Sequence, residues 1–284
     1  MPSVLGTNVA SLWASKNLQS AQSNMANSVE RLSSGLRINR ARDDAAGLGI
    51  SNALTSQINS AEQGIRNLND GISIAQTAEG AMAQVTEMAQ RILTLSIQGT
   101  NGALSSDQKT SITTEMTKLL NGIDAIQART KFGSSSTSVM VGTTISVYSS
   151  NVSTDKVDIS SAALASFSTG GSAEAQTLSA SVSGYTSASA SAWMQSITSA
   201  ATSYITSLNT QRGTLGAIQN QMEYSVNNIQ ELTANLSTAR SRVQDTDYAT
   251  ETAKLTKGQI LQQAATAMLA QANQMPNVIL SLLK

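Results

Sequence analysis

At 284 residues the chain is long enough for one elongated domain or two compact ones, and its 18 basic and 18 acidic residues cancel, so no net field draws it toward nucleic acid or an anionic membrane. It contains no His and no Cys, which excludes imidazole general bases, thiol nucleophiles, Cys/His zinc sites and disulfides and argues against an enzyme. Aromatics make up 3% of residues and the only prolines are Pro2 and Pro276, a composition suited to long helices closed along narrow aliphatic seams.

Residues 1–15 carry no positive start and no continuous apolar stretch, so no ordinary cleavable secretory signal is expected. Residues 1–29 hold one charged side chain, Lys16, and Leu18, Ala21, Met25, Val29, Leu32 and Leu36 line a single helical stripe. Arg40, Arg42, Asp43 and Asp44 then cluster between two apolar helices. Paired Asp residues suit a cation, but carboxylates in the first turn of a helix are the simpler reading, since the dipole favours them there. Gly47 and Gly49 make no phosphate loop, because no Gly-Lys-Ser/Thr follows. The cluster reads as a hinge or an ion-pair patch between subunits.

The clearest pattern is a heptad: Leu54, Ile58, Ala61, Ile65, Leu68, Ile72 and Ala75, continued after a phase slip near Ile72 by Ala78, Met82, Val85, Ala89 and Ile92. It predicts one helix from about Asn52 to Gln98. Gly99, Asn101 and Gly102 form a turn, with Ser105 or Ser106 as N-cap of the next helix. That helix carries Ile112, Met116, Leu119, Ile123 and Ile126 and should fold back antiparallel on the first. Glu62, Glu79 and Glu87 have no companion base in the pattern and read as solvated helix-face charge.

From Gly133 to about Ser191 helical periodicity is lost and Ser/Thr dominate. The β-prone runs Val139–Val141, Thr144–Tyr148 and Lys156–Ile159 predict a small hairpin region, followed by a Ser/Ala/Gly-rich excursion or linker over Ser166 to Ala188. A second long helix is expected from about Trp193, with Ile218, Met222, Ser225, Ile229, Leu232, Leu236, Ala239 and Val243 at heptad spacing. Residues 258–283 contain no charge, and Leu261, Ala264, Met268, Ala272, Met275, Ile279 and Leu282 form a stripe. Their many amides, Gln259, Gln262, Gln263, Gln271, Asn273, Gln274 and Asn277, do not suit hydrocarbon. The two ends therefore read as a matched pair of amphipathic helices that need a partner to bury their stripes.

Several long runs carry a family resemblance. Glu30–Asn39, followed by Asp43-Asp44-Ala45-Ala46-Gly47, and Asn69–Thr77 resemble the amino-terminal signature of bacterial flagellins. Leu215–Asn220, Ala239–Val243, Asp247-Tyr248-Ala249-Thr250-Glu251, Ile260–Ala264 and Leu269–Gln274 resemble the carboxy-terminal one. The resemblance spans about residues 1–132 and 195–284. It implies a mainly α fold: a long antiparallel coiled-coil rod with a small β-hairpin region, and N- and C-terminal helices paired in an inner coiled coil. The inner domain would comprise 1–45 with 246–284. The outer rod would comprise 46–190 and 191–245, with 133–190 as hairpin plus Ser/Thr-rich variable segment.

The resemblance further implies a structural subunit of a hollow helical filament that drives motility, outside the cell and exported through the flagellar type III apparatus. Inter-subunit and core packing falls to Leu18, Met25, Leu32, Leu36, Leu261, Met268, Met275, Ile279 and Leu282. Its partners would be further copies of itself, an export chaperone, the filament cap and the hook–filament junction proteins, with no cofactor, no nucleic acid and no membrane insertion. The positions matching the patch that Toll-like receptor 5 contacts in many flagellins are Gln90, Arg91, Leu95 and Glu115, although Leu93 and Thr94 replace the usual charged pair between them. Equally, Arg91 and Glu115 could simply bridge two helices. The rival expectations are a hook–filament junction protein and a surface-exposed adhesin with Tyr185 and Trp193 as sugar contacts.

Overall fold

The computed structural model describes residues 8–130, 144–149, 155–160, 173–184 and 190–282. Among them the chain forms α1 (Val9–Ser34), α2 (Ala45–Gly99), α3 (Ser106–Arg129), β1 (Thr144–Tyr148), β2 (Lys156–Ser160), α4 (Ala173–Ser183), α5 (Ala190–Gln244) and α6 (Tyr248–Leu282). The fold is mainly α with one small antiparallel sheet. It divides into two compact units, residues 1–58 with 234–284 and residues 59–233; α2 and α5 contribute segments to both.

In the 59–233 unit, α2, α3 and α5 bury their aliphatic seams together. Leu68, Ala75, Ala78, Met82, Val85, Ala89 and Ile92 of α2 are buried with Met116 and Ile123 of α3 and Met194, Ile197, Ala201, Tyr204, Leu208, Leu215, Ile218 and Met222 of α5. Both neighbours run antiparallel to α2. Arg91 donates from Nε and Nη2 to Glu115 Oε1 at 3.0 and 2.7 Å, while Gly122 lies over Met88. On the other flank Ser96 meets Thr198 at 2.9 Å, and Gln219 Nε2 donates to Glu79 at 3.1 Å. The phase slip expected near Ile72 appears as a shift of burial: Ile72 is half-buried, whereas Ile74 and Ala75 are buried.

The sequence-based seams need three adjustments. In α3 the buried positions are Ile112, Met116, Leu120, Ile123 and Gln127, with Leu119 and Ile126 only partly covered, because α3 also meets α4 and so buries a wider arc. In α5 burial ends at Ile229, and Leu232 is 48% exposed. The excursion expected over Ser166 to Ala188 contains a helix, α4, which buries Ala175, Leu178 and Val182. Three apolar residues over two turns, spaced among serines, are too short a pattern to register as periodicity.

The hairpin pairs Val147 with Val157 and Ile145 with Ile159, and Val147, Val157 and Ile159 are buried in the helical core. Its outward face carries Ser146, Lys156 and Asp158, with the Lys156 ammonium 3.1 Å from the Asp158 carboxylate. The hairpin lies on α2 where that helix presents Gly64 and Gly71. A Cβ at 64 would collide with the Ser149 carbonyl oxygen, and one at 71 would come within 2.9 Å of Val147 Cγ2. The run Val139–Val141 lies outside the described residues.

Candidate assembly interface

The terminal helices α1 and α6 pair within the unit formed by 1–58 and 234–284. Helix α1 begins at Asn8, whose side chain accepts from Ser11 N at 3.1 Å, and ends at Gly35, which takes φ 72° and donates to the Arg31 carbonyl. Helix α6 begins after Asp247, whose carboxylate accepts from Ala249 N at 2.9 Å and from the Thr250 hydroxyl at 2.8 Å. Those bonds, led by the Thr250 hydroxyl, hold the Asp247 carboxyl below the usual carboxylate range.

The connections at the Gly35 end are laced together. Leu36 and Asp245 form an antiparallel bridge, Arg37 N donates to the Gln244 carbonyl at 2.6 Å, and Thr246 N donates to the Gly35 carbonyl at 2.9 Å. The Arg37 guanidinium adds a 2.6 Å bond to the Val243 carbonyl, and Ser51 hydrogen-bonds Gln244. The charged cluster completes this corner. The carboxylates expected in a first turn lie before it: Asp44, the residue preceding α2, caps that helix by accepting from Gly47 N at 2.8 Å. Asp43 instead closes the preceding loop, accepting from Arg40 N and Asn39 N, which lowers its pKa. Arg40 pairs with Glu30 at 2.8 Å. At the other end of the pair, Asn8 Nδ2 donates to the Ala272 carbonyl at 2.7 Å and the Ser11 hydroxyl to Asn273 at 2.9 Å.

Along α1 the buried residues are Ala14, Ala21 and Ser28, with Leu18 and Met25 half-buried between them, Leu32 half-buried beyond Ser28, and Val29 exposed. Leu36 is half-buried at the bridge. Along α6 the covered face runs through Glu251, Leu255, Gly258, Gln262, Ala265, Leu269 and Ala272. Leu261 and Met268 lie on a different flank, 47% and 63% exposed. They line an open groove of about 610 Å³ between the two helices with Trp13, Ala14, Ala264 and Ala272. Trp13 is itself 60% exposed, with the Lys16 ammonium 5.3 Å above its ring. Met275, Ile279 and Leu282 continue on α6 but lie outside the residues whose side chains are described.

Sequence periodicity passed over Ser28, Glu251 and Gly258. The signal that finds Ser28 and Gly258 is small residues repeating every seven positions, 14-21-28 on α1 and 258-265-272 on α6, and Glu251 stands one heptad before Gly258. Glu251 is 4% exposed, accepts from the Ser28 hydroxyl at 2.8 Å and from Lys254 at 3.0 Å, and lies in the field of Arg31. Burial alone would raise its pKa; the bonds from Lys254 and Ser28 and the charges of Lys254 and Arg31 together outweigh that and lower it. Of the receptor-patch positions, Gln90, Arg91 and Glu115 are exposed and Leu95 is buried.

Among the described residues no three or more acidic side chains cluster as a metal site would need, and no helix is long and apolar enough to cross a membrane. What the structure displays is apolar surface along a pair of terminal helices, the equipment of a structural protein that packs against other chains.

Comparison with known proteins gives the family. The model of the bacterial flagellin N-terminal helical region matches residues 5–136, and that of the C-terminal helical region matches residues 194–283. The chain is 36% identical to the flagellin of Xenorhabdus nematophila and 33% identical to polar flagellin F of Vibrio parahaemolyticus, in each case over all of both chains. A flagellin of Halalkalibacterium halodurans is 34% identical over 99% of this chain and all of its own. In fold it resembles a Vibrio parahaemolyticus structure described as a candidate flagellar hook-associated protein (TM-score 0.55, 13% identity), covering 72% of this chain and 100% of that one. The chain belongs to the bacterial flagellin family. It is a structural subunit of the flagellar filament and not an enzyme.

Proposed function

We propose that copies of this flagellin polymerise through α1 and α6, with 1–45 and 246–284 forming the inner layer around a channel. Residues 46–190 and 191–245 form the outer rod, with 133–190 as its hairpin and variable segment. The observation that carries this is the apolar surface the pair leaves open in a single chain: Leu12, Trp13, Ile260 and Met268 are each 60% exposed or more. Stacked copies covering that surface recover about 25 cal/mol per Å². No desolvation of charge opposes the burial across residues 258–283, which carry none. Identical head-to-tail contacts that do not close give a helix, not a ring. Deleting residues 255–284 should leave a soluble helical protein that forms no filaments by electron microscopy; filaments of normal length would reject the proposal.

Family membership supports the remaining partners: export by the flagellar type III apparatus with a chaperone, and contacts to the filament cap and hook–filament junction proteins. For Toll-like receptor 5, the exposed Gln90, Arg91 and Glu115 form the surface of the matching patch, and buried Leu95 supports it from beneath. A reporter-cell assay comparing purified chain with Arg91→Ala tests this; equal signals would remove Arg91 from the contact.

A further inference from the structure

The small residues of the seam between α1 and α6 do not by themselves select its alignment. Ser28 meets Glu251 and Ala21 lies beside Gly258, where an added Cβ would be 3.5 Å from Met25 Cβ. The same antiparallel register sets Ala14 level with Ala265, and Asn8 reaches Ala272. Because these small residues repeat every seven positions on both helices, sliding one helix by a heptad again sets small against small. Ala21 would then face Ala265 and Ser28 would face Gly258; in the opposite slide Ala14 would face Gly258. At the small positions apolar contact therefore discriminates weakly between alignments, and the place where a slide changes the chemistry is Glu251, which the opposite slide sets against Ala21.

We propose that the buried Ser28–Glu251 hydrogen bond fixes the register of the terminal helix pair, and with it the alignment of the surface each subunit presents for assembly. This rests on the reading that α1 and α6 carry assembly. In the observed register the Glu251 carboxylate has a hydroxyl donor, the Lys254 ammonium and the nearby Arg31. Slid one way, it faces the methyl group of Ala21, losing the Ser28 donor while still enclosed; slid the other, it passes Ser28 toward the end of α1 at Gly35. A buried charge that loses a partner is penalised far more than a methyl group that changes neighbours. The bridge at Leu36 and Asp245 pins the chain where the helices enter and leave the corner, and Ser28–Glu251 carries that alignment into the seam itself.

The absence of native cysteine makes the register directly measurable. In the full-length chain, Ala14→Cys with Ala265→Cys reports the observed alignment. Ala21→Cys with Ala265→Cys, and Ala14→Cys with Gly258→Cys, report the two slides, whose partners are a heptad too far apart to bridge unless the helix moves. Oxidised filaments assembled from mixed isotopically labelled chains separate bonds within a chain from bonds between chains. The soluble chain is oxidised in parallel, so a variant that fails to assemble is still read and loss of assembly stays distinct from loss of register. In the parent the observed-register bond should dominate. Glu251→Ala should lower the ratio of observed to slid product by about tenfold, the worth of one hydrogen bond to a charged group. Glu251→Gln, which keeps a bond to Ser28, should restore most of it. An unchanged ratio in Glu251→Ala overturns the proposal, as does an equal loss of all three products, which would mean the pair only holds the helices together.

Discussion

At the scale of single residues, the glycines of α2 separate close packing from intrinsic preference. Gly64 and Gly80 sit in the same helix, but a methyl group at 64 would strike the Ser149 carbonyl, whereas one at 80 meets nothing within 4 Å. Gly64→Ala must push the hairpin off the helix and should cost about 1–3 kcal/mol. Gly80→Ala removes only backbone entropy from the unfolded chain and should add about 0.5–1 kcal/mol. Thermal unfolding of the purified variants reads both; a neutral Gly64→Ala would show that the hairpin is not seated there. Glu251 gives a prediction in pH. Its folded pKa lies below that of the unfolded chain, so its contribution is complete above the ordinary glutamate value near ~4.3 and is lost as pH falls from there through the lowered folded value. Glu251→Gln cannot titrate, so the stability gap between parent and variant should be widest near neutrality and close progressively in acid. A gap that stays constant between pH 7 and 3 would mean that the carboxylate is not favoured by its surroundings. Asp43 and Asp247 are lowered in the same direction but are common to both proteins, and cancel in the difference.

At the scale of elements, the start of α3 is set by local chemistry alone. Ser105 accepts from Gln108 N at 3.3 Å while the Gln108 side chain accepts from Ser105 N at 2.9 Å, a reciprocal capping box. Ser105→Ala should cost about 1 kcal/mol, and hydrogen exchange should localise the loss to the first turn of α3; uniform exchange along the helix would contradict a cap effect. This cap was legible in the sequence, as were α2, α5 and the hairpin, because each rests on a long heptad, a turn signal or strict alternation. The face that α6 turns to α1 was not. Beyond Lys257 both flanks of α6 are charge-free and carry apolar residues, so its periodicity marks Leu261 and Met268 as readily as Ala265 and Leu269, and only the partner helix decides which face is covered. Gly258 in the α6 seam and Gly64 under the hairpin were passed over by apolar periodicity for another reason. Their role is to allow close approach, and spacing rules count side chains, not the lack of one.

At the scale of the whole molecule, the two units put their apolar residues to different use. The 59–233 unit closes a core of its own, in which Met82, Met116, Ile123 and Met222 have no exposed surface. The terminal unit closes only the narrow seam between α1 and α6 and leaves Leu261 and Met268 open to solvent in a single chain. A charge introduced at each place should therefore separate folding from assembly. Met82→Asp buries a carboxylate without a partner among aliphatic neighbours and should destabilise the chain by about 3 kcal/mol or more, visible as a lowered thermal midpoint before any polymerisation. Leu261→Asp or Met268→Asp touches a surface already wet in the monomer, so the midpoint should move by less than about 0.5 kcal/mol equivalent. The same substitutions should raise the critical concentration for seeded growth at least tenfold, because in the filament the carboxylate loses water wherever a neighbouring copy covers the groove. Normal growth of the Leu261→Asp and Met268→Asp chains would mean that the groove stays open in the polymer and that assembly proceeds through another face of the terminal helices.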